Sequence, residues 1–230
     1  QAWEDNRMRG FDELFDLAAA RKGGSAAFEA MLPRMRTPAE LAAVPDDRWL
    51  SQMAKCVFQA GFNWRVVDNK WPGFEDAFDG FDTGRWSLMS DDDLDRLLKD
   101  TRVVRHAKKL ISVGENAAFL RELAQTHGSA AACFANWPEE DFAGLLEMMK
   151  KRGTRLGGTT GQYFLRFMGK DGFMTGGDVA SALIREGVVD KQPSSKRDMA
   201  AVQAAFNQWR EESGRPLAHI SRTLACTVEG

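Results

Sequence analysis

A glycine-rich turn carries the clearest chemistry in this chain. Residues 149–161 read M-K-K-R-G-T-R-L-G-G-T-T-G. A helix that starts at Pro138, ends at Gly153 and is followed at once by another leaves backbone N–H groups at the second N-terminus without intrahelical partners. Gly157 and Gly158 allow backbone shapes closed to other residues, and Thr159 or Thr160 can cap the second helix. Lys150, Lys151, Arg152 and Arg155 add positive charge. Amide donors at a helix N-terminus, beside cations, form a cradle for phosphate. A glycine C-cap explains much of the same pattern, because helix–glycine–helix turns are common in proteins that bind nothing.

A second group lies at 58–64, F-Q-A-G-F-N-W. Gly61 interrupts a helix whose buried face is Trp49, Leu50, Met53 and Val57, and it leaves Gln59, Asn63 and Trp64 at the break. Read locally, Gly61 ends one helix, Asn63 caps the next and Trp64 packs as a core aromatic. Asp178 opens a later helix, where capping accounts for it as well.

These groups need a rigid frame, and the frame is helical. Thr37-Pro38-Ala39-Glu40 is a capping box with proline at the first helical position, and Ser90 followed by three aspartates starts another helix. Further helices are expected near 10–21, 64–71, 103–112, 115–127, 138–152, 159–168, 178–186 and 195–212. In the last of these, Met199, Val202, Phe206 and Trp209 form a buried stripe, and Gly214-Arg215-Pro216 stops it. Period-2 alternation is almost absent. The chain therefore reads as all-α, a two-lobed bundle of about ten helices forming one unit over 1–230.

Composition limits the function. With 230 residues, 43% hydrophobic and 28% charged, the chain has an ordinary globular balance. No apolar run can span a bilayer, and Q-A-W-E-D-N-R-M-R-G lacks the apolar core of a secretory leader. The three cysteines, Cys56, Cys133 and Cys226, are too scattered for a disulfide framework, which points to a reducing cytoplasm. His106, His127 and His219 are likewise isolated, so neither a metal nor another cofactor is expected. A net charge of −2 gives no global attraction to nucleic acid, so such binding must rest on the patch at 149–155.

The order L-G-G-T-T-G, F-M-G and G-F-M-T-G-G-D-V-A resembles the helix-hairpin-helix, here at about 138–169, and the aspartate loop of the DNA glycosylase superfamily. Q-A-G-F-N-W and V-V-R-H-A-K-K-L at 103–110 resemble segments of its DNA-3-methyladenine glycosylase I family. Together the matches span roughly residues 45–190.

The resemblance implies a base-excision enzyme that works as a monomer and rotates a damaged base out of double-stranded DNA. It makes Gln59 the plug for the vacated stack and Trp64 the stacking wall of a base pocket shared with Cys56 and Asn63. Gly157, Gly158, Thr159, Thr160 and Gly161, with Lys151, Arg152 and Arg155, would hold phosphates. Asp178 would stabilise the charge that develops on the sugar as an alkylated purine leaves. Bifunctional relatives carry a hairpin lysine; here Thr159 or Thr160 takes its place, which implies hydrolysis without strand cleavage, Lys170 being a weak alternative nucleophile. The family's pocket glutamate is replaced by Cys56, its zinc ligands have no counterparts, and Tyr163 is the sole tyrosine. The competing readings are a catalytically inactive module that binds damaged or distorted duplex and a helical scaffold with no DNA role, for which the acidic net charge argues.

Overall fold

The computed structural model describes residues 7–228, and among these no strand occurs. Fourteen α-helices follow one another along them: α1 (Phe11–Arg21), α2 (Ser25–Glu29), α3 (Pro38–Ala42), α4 (Asp46–Gln59), α5 (Trp64–Ala77), α6 (Thr83–Trp86) and α7 (Asp91–Leu97) in the first half. The second half holds α8 (Ala107–His127), α9 (Ala130–Asn136), α10 (Phe142–Arg152), α11 (Gly158–Met168), α12 (Gly177–Arg185), α13 (Lys196–Ser213) and α14 (Leu217–Cys226).

The all-α expectation holds, while several boundaries differ for identifiable reasons. The helices expected near 103–112 and 115–127 are one, α8, because Gly114 serves packing and does not break the helix. A Cβ there would meet Met89 Cβ at 2.9 Å and the Trp86 carbonyl at 3.2 Å. Helix α5 runs past 71 and through Pro72, across the Trp71 ring that stacks on Phe74 at 4.6 Å and on Phe81 at 5.5 Å. Such packing overrides a local break. The stretch after 212 forms α14, whose first amides, Leu217 N and Ala218 N, donate to the Asp171 carboxylate at 3.0 and 2.8 Å.

The chain divides into two units. One comprises Gln1–Met35, Pro138–Ala143 and Asp171–Gly230. Its core stacks Phe173 on Phe206 at 4.6 Å, with Phe142 edge-on to Phe173 at 4.9 Å. The other comprises Arg36–Trp137 and Gly144–Lys170. At its centre Trp49 of α4 stacks on Phe134 of α9 at 4.9 Å and meets Phe164 of α11 edge-on at 5.9 Å. The Asp46 carboxylate accepts from Ala130 N and Ala131 N at 2.9 and 3.0 Å, so the start of α4 caps α9.

Asp93 is buried in the Ser90 capping box of α7 and accepts from Arg85 at 2.5 and 3.0 Å and from Arg96 at 3.0 Å. The Arg85 guanidinium holds its carboxyl well below the usual carboxylate range. A depressed folded value means that the stabilisation is complete above the unfolded value, about 3.9, and is lost as pH falls through the folded one. Asp93→Asn is therefore expected to lower the Tm at neutral pH, with the gap to the native chain closing below about pH 4. A gap that stays constant in a thermal titration into acid would contradict this assignment.

Candidate functional site

The end of α4 is fixed by a buried lysine. Lys109 of α8 donates from Nζ to the carbonyls of Phe58 at 3.2 Å and Ala60 at 2.8 Å. Burial pushes its ammonium pKa down, and the nearby charge of Arg155 adds to this. The chain then turns at Gly61, whose φ of +68° lies in the left-handed region while nothing crowds a Cβ there. Conformation, and not space, demands glycine at this position. Asn63 Oδ1 accepts from Arg65 N at 3.0 Å and Val66 N at 3.3 Å. Asn63 is thus the cap of α5, and this corrects its assignment to the base pocket, because its acceptor is spent on the helix end.

Gln59 is corrected as well. A plug must project from the surface, yet Gln59 is 3% exposed and donates from Nε2 to Asp68 Oδ1 at 3.1 Å. Its Oε1 is buried with no hydrogen-bond partner. The side chain standing out from the turn is Phe62, 45% exposed. Cys56 lies one turn before Gln59 on α4 and is buried; Gln52 Nε2 approaches its Sγ at 3.5 Å. Burial pushes the Cys56 thiol up to about 11, so it is neutral at ordinary pH.

Trp64 is not a core residue. Its indole is 39% exposed and meets Tyr163 edge-on at 5.1 Å and Phe167 at 5.8 Å. Tyr163 and Phe167, four residues apart on α11, stack at 5.8 Å and are also exposed. Sequence reasoning left both out of the site. The available signal was an i, i+4 aromatic pair immediately after the hairpin.

Tyr163 stands about one and a half helical turns past the hairpin. Asn116 of α8, fully buried, clamps that hairpin by donating to the Thr154 carbonyl at 3.0 Å and accepting from Thr154 N at 2.7 Å. Arg155 and Gly158 both take left-handed φ, +60° and +58°. Gly157 is the N-cap of α11, and no side chain caps that end. Thr159 and Thr160 therefore sit inside the first turn and do not cap it, which leaves the opening amides of α11 for an external acceptor. Lys151 and Arg152 make long pairs with Glu147 at 3.4 Å and Glu122 at 3.6 Å, and the Arg152 guanidinium also lies over the Phe119 ring at 5.8 Å.

Two hairpin assignments change. Gly161 is buried, and a Cβ there would meet the Leu156 carbonyl at 2.6 Å, so it serves close packing and not phosphate. Lys170 is buried and donates to the Trp137 carbonyl at 2.6 Å, so it is not the solvated lysine expected of a surface nucleophile. Asp178 is an exposed residue in the first turn of α12, whose N-cap is Gly176, so it does not cap that helix.

The methyladenine glycosylase family model matches residues 43–142. The chain matches no curated protein by sequence. Among solved structures it is similar to the 8-oxoguanine DNA glycosylase of Methanocaldococcus jannaschii, at TM-score 0.55 and 15% identity over 92% of this chain and 89% of that one. It is also similar to 3-methyladenine DNA glycosylase I from Staphylococcus aureus, at TM-score 0.50 and 20% identity over 68% of this chain and 91% of that one. At these identities the likeness establishes a shared helical fold.

Lys109→Met leaves the carbonyls of Phe58 and Ala60 without their donor. It is expected to lower stability by about 1–3 kcal/mol in urea unfolding. Unchanged stability would show that the ammonium does not hold this turn.

Proposed function

We propose that this chain, whose residues 43–142 match the methyladenine glycosylase family model, is a monofunctional DNA glycosylase that hydrolyses the N-glycosidic bond of an alkylated purine. One observation carries the reading: the exposed face of Trp64, Tyr163 and Phe167 begins at Tyr163, about one and a half helical turns from the uncapped start of α11. A flat apolar ring beside phosphate-binding amides matches a nucleotide swung out of a duplex.

The base stacks on Trp64, an interaction worth about 1–3 kcal/mol and indifferent to base identity. Phe62 takes the gap in the duplex in place of Gln59, with a rigid apolar ring suited to wedging between base pairs. The amides of Gly158, Thr159 and Thr160, with Gly157 setting the approach, hold the backbone phosphates. Lys151, Arg152 and Arg155 supply charge without reading sequence. Asp178 serves as the carboxylate that stabilises positive charge at C1′ and orients water. An alkylated purine that already carries a positive charge leaves readily, so modest electrostatic help suffices. Thr159 and Thr160 offer no amine at the hairpin, hence no covalent imine and no strand cleavage. The enzyme acts as a monomer on damaged double-stranded DNA in the cytoplasm. No helix of the described residues is long and apolar enough to cross a membrane.

Incubation with dimethyl sulfate-treated duplex should release free methylated base, read by chromatography, and leave heat-labile abasic sites without direct strand breaks. Asp178→Asn is expected to reduce turnover by about a hundredfold with little change in KM. Binding to an abasic duplex without any base release would instead mark a DNA-binding module. Lys151→Glu with Arg152→Glu should weaken duplex binding and reduce the slope of log K against log salt by about one for each phosphate no longer neutralised. An unchanged slope would remove both residues from the interface.

A further inference from the structure

Replacement of the family's pocket glutamate by Cys56 leaves the wall at Trp64 without an acid from α4, since a thiol pushed up to about 11 is uncharged at ordinary pH. A carboxylate is present close by on a different helix. Asp68 lies four residues after Trp64 on α5, so the two side chains share one face of that helix, one above the other. Its Oδ1 accepts from Gln59 Nε2 at 3.1 Å and pairs with Lys55 Nζ at 2.9 Å. Both contacts fall on Oδ1, and the Asp68 side chain keeps 51% of its surface exposed.

Gln59 carries a cost at this position. An amide buried with its carbonyl unpaired costs about 1–3 kcal/mol relative to a satisfied group, which an apolar residue of the same length would avoid. What the amide provides is one N–H bond that holds a half-exposed aspartate against the end of α4. Surface aspartates need no such support to stay folded or soluble. The arrangement makes sense if the direction of that carboxylate matters.

We infer that Asp68 is the acidic group that reads the base lying on Trp64, and that Gln59 is its positioning residue. The base's ring face rests on the indole, and its edge meets the carboxylate on the same helix face. The free Oδ2 accepts from an N–H of the purine edge, such as an exocyclic amine, and the charge favours a cationic, alkylated base over a neutral one. Lys55 offsets part of that charge from the Oδ1 side, which leaves the oxygen facing the base as the acceptor. The inference rests on the glycosylase reading and relocates the acid that reads the base from α4 to α5.

The test compares the native chain with Asp68→Asn, Asp68→Glu and Gln59→Met, with three readouts for each. These are base release from dimethyl sulfate-treated duplex, affinity for a duplex with an abasic site, and urea stability. Asp68→Asn is expected to lose about 10- to 100-fold in base release, the range of a charge-assisted hydrogen bond. Its abasic-duplex affinity should stay unchanged, because no base is there to read, and Asp68→Glu should recover part of the release. Gln59→Met should lose base release while matching or exceeding native stability. Native rates for Asp68→Asn would overturn the inference while leaving the glycosylase reading intact. So would a loss of stability and abasic-duplex affinity in step with activity, which would mark Asp68 as purely structural. If the native chain releases no base, the glycosylase reading fails and takes this inference with it.

Discussion

One of the buried ammonium groups, that of Lys109, decides where the site forms. Removing a charge from water costs several kcal/mol, so Lys109 is tolerated only because it meets the carboxyl end of α4, where helix carbonyls are unpaired and the dipole is negative. Its two acceptors, Phe58 and Ala60, flank Gln59 and pin the last turn of the helix. With that end fixed, Gly61 redirects the chain, Asn63 opens α5, and Trp64 and Asp68 fall on one face of the new helix. Gln59 is left turned inward, against Asp68.

Helix α8 acts as the ruler for the whole arrangement. Asn116, seven residues after Lys109 and therefore two turns along the same face, clamps Thr154 of the hairpin through both atoms of its amide. One rigid helix thus sets the turn that presents Trp64 and Phe62 and the hairpin that presents the amides of α11. The ring contacts from Trp64 to Tyr163 and Phe167 close the circuit between those two segments. On the proposed reading the surface holds a base and its phosphates at once, which needs such fixed spacing, and side chains on flexible loops do not supply it.

Much of this was legible in the chain itself. Period and caps gave the helices: Thr37 accepts from Glu40 N as the N-cap half of its capping box, and Val202, Phe206 and Trp209 are buried as their spacing implies while Met199, the first of that stripe, is half-buried. The turn at Gly158 and the break at Gly61 were visible because glycine takes left-handed backbone angles without strain, whereas Gly157 is extended at φ −77° and uses no such freedom. What failed depended on contacts distant in sequence. Lys109 sits in a pair of lysines that reads as solvated charge, and nothing local shows that one of them is buried. Gln59 ends a helix, where one further residue of rotation separates surface from interior. Gly161 looks like part of a phosphate loop, but its role is set by the Leu156 carbonyl packed against it. Asn63 suited a cap and a pocket equally, and only the hydrogen bonds separate the two.

The central claim is that the α4–α5 turn and the α10–α11 hairpin form one surface for a damaged duplex. Amide hydrogen exchange, measured by mass spectrometry with and without a duplex carrying an abasic site, addresses it directly. Slowed exchange is expected in residues 58–67 and 153–163 together, at duplex concentrations that saturate binding. Slowing in only one of these segments, or in neither while the duplex is bound, would contradict it.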